Sequence, residues 1–311
     1  MKIAFVMDPL EKVKAHKDTS YYLMLAAKQR GNEVFYFNQA TMQTTGCSVD
    51  AVCSRLDVHP SVEKPFTVLE TKRTDLSQMD VIFIRTDPPF DRAYSYATLL
   101  LDLIGGDTLV VNRPSGIRNW NEKLASLLYA QYTPDTLVSR QQEEIMSFAR
   151  RYRRVTLKPV DGHGGEGIDF FCHDDADAIQ KTAAQTHSGR HWVIVQEYLQ
   201  AATVGDKRIL LVDGDPVGAV LRVHAEGMEL NNLDQGATAV PAKINDAELE
   251  ICRAIKPGLL QQGIFFCGID VIGDRLIEVN VTSPTCLQEL CRFSETDHHH
   301  NIIERLESRI S

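Results

Sequence analysis

The sequence predicts two architectures in one chain: a parallel α/β domain at the start and an α+β part after it. In the first third, short apolar runs alternate with segments of helical character, which is typical of a parallel sheet with helices between its strands. After about residue 115, strand-like runs follow one another through turns, which favours antiparallel sheets with helices to one side. The 311 residues are enough for two or three packed units.

The first third begins with a short apolar strand at 3–7 that ends at Asp8-Pro9. Asp18 or Thr19 can cap a helix that runs through residue 30, and Gly31 supplies its C-terminal stop. The further strands predicted here are 33–37, 81–85 and 108–112. Residues 39–79 show no clear pattern and receive no assignment.

The second part begins where residues 121–124 open a helix. A second helix is predicted over 246–262, and the last strand pair surrounds a turn at Gly273-Asp274. The strands predicted in this part are 136–139, 155–160, 192–199, 208–212, 217–223, 264–272 and 276–281.

Composition excludes several classes of protein. A net charge of −9 with a pI near 5.6 argues against nucleic-acid binding, which needs a basic face. Seven cysteines, odd in number and without a CxxC pair, favour reduced thiols over a disulfide framework or a zinc site. The first apolar stretch is too short for a signal sequence, and no run reaches the roughly 18 apolar residues of a membrane span. We expect a cytoplasmic protein without a membrane partner.

A glycine-rich run at 161–167 is the first motif with chemical meaning. It contains GxGxxG at Gly162, Gly164 and Gly167, but a strand-like segment follows it, whereas a dinucleotide-binding loop must open a helix. A loop whose amides close over phosphate and an ordinary glycine-rich hairpin explain the run equally well. Lys158, inside the apolar strand just before the loop, needs an anionic partner unless it lies on a sheet edge. Together the two features favour phosphate binding.

Oxygen-bearing side chains mark the last strand pair. Glu278 and Asn280 are two residues apart and therefore share one face of a strand. A three-residue loop centred on Asp274 would place Asp270 opposite Glu278 on that face. Isolated acids in strands usually face solvent, but two acids and an amide on one face favour Mg²⁺ that bridges nucleotide phosphates. His298-His299-His300, beside Asp297, is expected to be solvated rather than metal-binding.

A series of motifs in fixed order resembles the ATP-grasp superfamily. Three further features resemble the bacterial glutathione synthetases: Val-Met-Asp-Pro at 6–9, Arg-Thr-Asp-Pro-Pro-Phe-Asp at 85–91 and Asn-Val-Thr-Ser-Pro-Thr-Cys at 280–286. The resemblance spans nearly the whole chain. The superfamily motifs are Asn-Glu-Lys-Leu at 121–124, Leu-Lys-Pro-Val-Asp-Gly at 157–162, Gln-Glu-Tyr-Leu at 196–199, Gly-Asp-Lys-Arg at 205–208, Gly-Ile-Asp at 268–270 and Glu-Val-Asn-Val-Thr-Ser-Pro-Thr at 278–285.

The resemblance implies three domains and a homotetramer. Residues 1–120 would form an N-terminal α/β substrate domain, 121–200 a central lid domain, and 201–311 a C-terminal antiparallel-sheet domain with the metal site. The last two would make the ATP-grasp fold, with ATP held between them.

It also implies roles for individual residues. Arg208 and Arg222 would be catalytic. Asp270, Glu278 and Asn280 would hold Mg²⁺, with Mn²⁺ as an alternative ion. The residues that would contact ATP are Lys123, Lys158, Asp161, Gly162, Gly164, Gly165, Gly167, Gln196, Glu197, Tyr198, Leu199 and Asp206. Those that would bind the other substrates are Asp18, Ser20, Arg85, Asn232, Ser283 and Thr285.

The implied activity is the ligation of γ-glutamylcysteine with glycine, with ATP as co-substrate and an acyl phosphate as intermediate. Leu230 and Gln288 stand where the family often has arginine, so a different ATP-grasp ligase with another acid or amine is the nearest alternative. A non-catalytic nucleotide-binding protein would lack the metal ligands. An NAD-dependent dehydrogenase would need a glycine fingerprint after the first strand, and the sequence has none there.

Overall fold

The computed structural model describes residues 1–46, 48–105, 107–225 and 236–310. Its N-terminal part is built on a sheet of seven strands in the order β3-β4-β2-β1-β6-β7, with β5 paired to β4. The elements are β1 (Lys2–Val6), α1 (Thr19–Gln29), β2 (Glu33–Phe37), β3 (Gln43–Thr45), β4 (Ser48–Val58), β5 (Phe66–Asp75), β6 (Val81–Ile84), α2 (Arg92–Leu101), β7 (Leu109–Val111) and α3 (Pro114–Asn119).

The predicted parallel arrangement is confirmed for β2, β1, β6 and β7. The unassigned stretch 39–79 contains β3, β4 and β5, which extend the sheet in antiparallel fashion from β2. Helix α1 begins as expected, because the Asp18 side chain accepts a hydrogen bond of 2.7 Å from the Tyr21 N–H. It ends before Gly31, whose φ of +86° suits glycine.

The middle of the chain forms a four-stranded antiparallel sheet in the order β10-β9-β11-β8, with two helices packed on it. A 3₁₀ helix, Ala125–Tyr132, precedes it. This helix begins just after residues 121–124, where the sequence predicts a helix to open. The glycine-rich run joins β9 to its antiparallel neighbour β10, so it is the predicted loop between two strands. The elements are β8 (Thr136–Ser139), α4 (Gln142–Ala149), β9 (Val155–Pro159), β10 (Asp169–Phe171), α5 (Ala178–Gln185) and β11 (Val193–Glu197).

The last part is a five-stranded antiparallel sheet in the order β14-β13-β12-β15-β16. Its long helix has the predicted bounds, because Asn245 begins it with a capping box and Gly263, at φ +68°, ends it. The elements are β12 (Asp206–Val212), β13 (Asp215–Val223), β14 (Thr238–Ala242), α6 (Asp246–Gln262), β15 (Phe266–Ile272), β16 (Arg275–Asn280), α7 (Leu287–Ser294) and α8 (His298–Glu307). The three sheets fall within 1–120, 121–200 and 201–311, whose boundaries stay predictions.

The C-terminal helix α8 packs against α1 of the N-terminal part. Arg30 Nη2 lies 2.7 Å from Glu307 Oε2, and Asn32 donates to Glu307 Oε1 at 2.8 Å. The expectation that residues 298–300 are solvated is wrong for His299, which is 7% exposed. Its Nδ1 is 3.5 Å from Cys291 Sγ, and its ring centroid is 4.7 Å from that of Tyr22, so packing between helices buries it.

Two further expectations concern cysteines and membranes. The six cysteines in the described ranges are all free thiols, and five of them are buried. None of the helices that the structure describes is long and apolar enough to cross a bilayer.

Candidate active site

A cavity of about 520 Å³ opens where the three sheets meet. Strands β9, β10 and β11 form one wall, and β12, β13, β15 and β16 form the opposite one. The loop after β6 closes the end nearest the N-terminal part. The predicted site residues that line it are Lys123, Lys158, Gly162, Gly164, Gly165, Gln196, Glu197, Tyr198, Leu199, Asp206, Arg208, Arg222, Asp270, Glu278, Asn280, Ser283 and Thr285.

The other predicted site residues lie elsewhere. Asp161 borders a smaller cavity of about 70 Å³ beside the first. Gly167, Asp18, Ser20 and Arg85 do not line the large cavity. Asn232, like the departure at Leu230, lies outside the described residues.

The β15–β16 hairpin places Asp270 directly opposite Glu278. The prediction reached this pairing through a three-residue loop, but the loop has two residues, since Ile272 pairs with Arg275. A bulge between Asp270 and Val271 shifts the register by one residue and restores the expected pair.

Two arginines hold the carboxylate of Asp270. Arg208 Nε and Nη2 each donate to it at 2.7 Å, and Arg222 Nη2 lies 3.0 Å from Oδ2. Burial alone would raise the pKa of Asp270, but the two guanidinium groups outweigh it and hold that pKa below its ordinary value. The carboxylate is therefore ionised throughout the physiological range.

Asp206 completes the charged cluster on the floor of the cavity. It accepts a hydrogen bond of 2.5 Å from Arg222 Nε. Burial raises the pKa of Asp206 to about 6, although the charge of Arg222 opposes that rise. The positive charges of two arginines and the negative charges of two carboxylates thus balance one another where water has little access.

The donor set around Asp270 fits a hard divalent cation. Two carboxylates and one amide lie on adjacent strands, and all three line the same cavity. Asn280 donates its amide N–H to Asp270 Oδ2 at 3.2 Å, so its amide oxygen is not used in that contact. Lys123 Nζ lies 3.5 Å from Glu278 Oε1 and offsets part of its charge.

Two buried lysines flank these acids. Lys158, on β9, is 3% exposed, and burial lowers the pKa of its ammonium group to about 8, with Glu278 opposing the shift. Lys123 is 7% exposed and donates to the backbone carbonyl of Gly162. Both cations line a cavity wall beside the glycine loop, as phosphate binding requires.

The glycine loop has a backbone that only glycine adopts without strain. Gly164, Gly165 and Gly167 have φ values of +62°, +80° and +72°. A Cβ at Gly162 would lie 2.5 Å from Pro159 Cγ. The loop therefore presents backbone groups to the cavity without side chains to cover them.

The end of the cavity near β10 and β11 is more apolar. Ile168, Phe170 and Ile272 line it, and the Phe170 ring meets that of Tyr198 edge to face at 5.6 Å. The strand end at Gln196–Leu199 adds backbone groups beside these side chains. A flat heterocycle with polar edges fits such a wall.

Arg85 lies behind the cavity, between the N-terminal sheet and the segment after β16. It is 4% exposed, its Nε donates to Ser20 Oγ at 2.9 Å, and its Nη2 donates to the Pro284 carbonyl at 3.0 Å. In the described part of the chain, its Nη1 has no hydrogen-bond partner. Burial lowers the pKa of Arg85, and Asp87 and Asp18 oppose that effect.

Gln288 is one of the two positions at which this sequence departs from the arginine that the family often has. Its Nε2 donates to the carbonyls of Ala15 and Asp18 at 2.9 and 2.8 Å. The glutamine therefore fixes the backbone that precedes α1 and does not line the cavity. The side chain of Asp18 faces the Tyr21 N–H, and burial raises its pKa.

Asp87, Glu122 and Phe170 are among the cavity-lining residues that sequence reasoning missed. Asp87 accepts a hydrogen bond of 2.5 Å from Ser283 Oγ. Asp87 and Glu122 both lay inside motifs already recognised, which was the available signal. Phe170 follows the glycine loop in a strand of three residues, which is too short for a pattern.

A glycine loop and two lysines facing acids on an antiparallel hairpin define an ATP-grasp ligase. Solved structures share this fold. D-cycloserine synthetase superimposes with a TM-score of 0.68 at 15% identity, covering all of both chains. A RimK domain ATP-grasp protein from Sphaerobacter thermophilus gives 0.63 at 18% identity, covering 98% of each chain.

The particular family follows from closer relatives. The family model "Prokaryotic glutathione synthetase, N-terminal domain" matches residues 1–118, and the corresponding ATP-grasp domain model matches 122–295. The glutathione synthetase of Gloeobacter violaceus is 41% identical over 93% of this chain and 91% of its own. That of Shewanella oneidensis is 36% identical over 100% and 99%. The chain belongs to the prokaryotic glutathione synthetase family and is an ATP-dependent ligase.

Proposed function

We propose that the protein joins γ-glutamylcysteine to glycine at the expense of ATP, giving glutathione, ADP and phosphate. The observation that carries the proposal is the meeting of Lys158, Asp270 and Arg208 in one cavity beside the glycine loop. Family membership over nearly the whole chain supports the choice of substrates.

In the first step, an oxygen of the cysteinyl carboxylate attacks the γ-phosphorus of ATP, and ADP leaves. The reaction depends on positioning and on neutralised charge rather than on a protein nucleophile. Lys123 and Lys158 approach the phosphates from the side of the glycine loop. The apolar wall around Phe170 receives the adenine, and the strand end at 196–199 presents backbone groups to its edge.

We also propose that Asp270, Glu278 and Asn280 hold Mg²⁺, with Mn²⁺ as an alternative. A bound ion there would neutralise phosphate charge. The two arginines keep Asp270 ionised, which suits a metal ligand.

In the second step, the amine of glycine attacks the carbonyl carbon of the acyl phosphate, the C–O bond to phosphate breaks, and the amine loses a proton. Arg208 and Arg222 lie where a developing oxyanion can accept their N–H groups. The closed glycine loop would exclude water, which otherwise hydrolyses the intermediate.

Recognition of the dipeptide is assigned to the end of the cavity that the N-terminal part closes. Asp87 and Ser283 line it directly, whereas Arg85 and Ser20 lie behind them. Thr285 also lines the cavity, and we retain Asp18 and Asn232 as proposed substrate contacts although Asp18 does not line it. A cytoplasmic location and a homotetramer are also part of the proposal. The first is supported by the cysteine pattern of the sequence, and the second rests on the family resemblance.

The test is ADP release with ATP, Mg²⁺, γ-glutamylcysteine and glycine, each omitted in turn. ADP formation that needs both substrates, with glutathione in equal amount, is the expected result. ADP release that needs neither dipeptide nor glycine would point to a ligase for another acid and amine. ATP binding without turnover on any acceptor would favour a regulatory protein.

A further inference from the structure

Glu122 joins the strand that carries Glu278 and Asn280 to the segment that carries Lys123. One oxygen of its carboxylate, Oε1, accepts three hydrogen bonds: from the Val281 N–H at 2.8 Å, from the Thr282 N–H at 2.9 Å and from Thr282 Oγ1 at 2.8 Å. Its backbone carbonyl accepts a fourth, from the Val279 N–H at 2.8 Å. A single residue thus accepts hydrogen bonds from three residues within a stretch of four, 279, 281 and 282.

The strand that Glu122 binds has a sheet partner on only one side. Within the part of the chain that the structure describes, β16 pairs with β15 alone, at the end of the sheet order. An edge strand without further partners can shift or fray. Glu122 supplies the missing hydrogen bonds at the carboxyl end of β16, immediately after Asn280.

Lys123, the next residue in the chain, links the position of Glu122 to the proposed nucleotide site. Lys123 contacts both Glu278 and the backbone of Gly162, so the distance between acid, lysine and glycine loop depends on how residues 121–123 sit against β16. One oxygen that receives three donors fixes that relation, because its removal would leave all three without this acceptor.

We infer that Glu122 is a positioning residue. It fixes where Glu278 and Asn280 lie relative to Lys123 and so determines the geometry of the nucleotide–metal site. The inference rests on the proposed function. It concerns the placement of the site's own side chains and requires no contact between Glu122 and ATP.

The experiment measures equilibrium binding of ADP in the presence of Mn²⁺, with the ion followed by electron paramagnetic resonance. Glu122→Ala removes the acceptor and should weaken binding of both ADP and Mn²⁺ by tenfold or more. Glu122→Gln keeps an oxygen at the same place and should stay within about threefold of the parent protein. Glu248→Ala is the matched control.

Glu248 resembles Glu122 in its bonding but not in its location. It is 1% exposed, accepts the Asn245 N–H at 2.9 Å and lies 2.6 Å from Lys207 Nζ, and it does not line the cavity. Its variant should lower the unfolding temperature without changing ADP or Mn²⁺ affinity. Unchanged affinity in Glu122→Ala would overturn the inference.

Two other results would also overturn it. If Glu122→Gln lost as much affinity as Glu122→Ala, the charge would act on the ligand itself and not through position. If Glu248→Ala weakened binding equally, general loss of stability would explain the effect. Failure of the parent protein to bind Mn²⁺ with ADP would instead count against the proposed nucleotide–metal site, and against this inference with it.

Discussion

Arg208 donates two parallel hydrogen bonds of 2.7 Å to the carboxylate of Asp270, which lies opposite it on the neighbouring strand: Arg208 is on β12 and Asp270 on β15. Both side chains are less than 10% exposed. The fork of the guanidinium matches the two carboxylate oxygens, and this geometry fixes the direction in which both groups face the cavity.

Replacing Arg208 by lysine keeps the positive charge but removes the two-pronged guanidinium that bonds both oxygens of Asp270. We expect Arg208→Lys to lower kcat by about 10²-fold, or about 2.7 kcal/mol, because one ammonium cannot hold Asp270 and face the reacting centre together. Steady-state kinetics with the dipeptide and glycine at saturation would measure it. A kcat within threefold of the parent would show that the fork is dispensable.

Asp270 and Glu278 should differ in what their loss does to stability. Asp270→Asn leaves the buried guanidinium of Arg208 with a neutral partner and that of Arg222 with Asp206 as its remaining acidic partner, and we expect the free energy of unfolding to fall by about 3–5 kcal/mol. Glu278 is half-buried and faces Lys123 at 3.5 Å, so Glu278→Gln should cost less than about 1 kcal/mol.

Denaturant unfolding without nucleotide, at constant pH, would measure both variants. Each should also lose divalent-cation-dependent activity. Equal stability of the two variants would mean that the arginine pair does not depend on Asp270.

Much of this fold could be predicted because local signals and tertiary structure agree. The bounds of α6 follow from a capping box at Asn245 and a glycine stop at Gly263. Strands β2 and β8 have the predicted ends, since apolar runs there are bounded by polar residues. Nearly all predicted ATP and metal residues line one cavity, because their motifs lie at strand ends of facing sheets.

The features that the sequence did not predict depend on contacts between distant segments, which a local sequence pattern does not reveal. Strand β5 is exposed on both faces over most of its length, so it has no period-two apolar signal. Glu122 has a bonding role only because residues about 160 positions later fold against it. The bulge at Asp270 compensated for a wrong loop length, and the burial of His299 arises from helices that lie apart in sequence.

Asn112 should be among the least replaceable residues for stability. Its side-chain nitrogen donates to the carbonyls of Phe266 and Val281 at 2.7 and 2.8 Å, and its oxygen accepts the N–H groups of Phe265 and Phe266 at 2.8 and 2.9 Å. Asn112→Asp loses both donors and brings a carboxylate against two carbonyl oxygens. We expect a loss of about 3–5 kcal/mol in unfolding free energy.

The control for that change is Asn119→Asp, at an exposed asparagine with a single long contact of 3.5 Å to Gln262. It should change stability by less than about 0.5 kcal/mol. Chemical denaturation of both variants at pH 7 checks the difference. A small effect at Asn112 would mean that the aspartate is accommodated by water.

Lys158 should make nucleotide affinity depend on pH. Burial lowers the pKa of its ammonium to about 8 from an ordinary 10.5. Below pH 8 the group is charged and attracts phosphate. As the pH rises above 8 the free protein loses that charge, and ADP affinity should fall by up to about tenfold per unit.

Lys158→Arg is the control for this profile, because a guanidinium stays charged at these pH values. Its ADP affinity, measured by calorimetry between pH 7 and 9.5, should be flatter than that of the parent protein. Parallel profiles for the two proteins would assign the pH dependence to another group.

His299 should make the protein sensitive to acid. Burial, with a further contribution from His300, lowers its pKa from 6.5 to about 4 in the folded protein. Between these two values the unfolded chain binds a proton that the folded protein does not, so stability falls as the pH is lowered through this window. The two pKa values give a loss of about 2 kcal/mol between pH 7 and pH 5. His299→Gln should remove that part of the acid sensitivity, as measured by urea unfolding at both pH values. His300→Gln, on the same helix turn, should retain most of it, because burial is the larger cause of the shift. Equal pH dependence in the parent and in His299→Gln would show that the imidazole is protonated without opening the contact between α8 and α1.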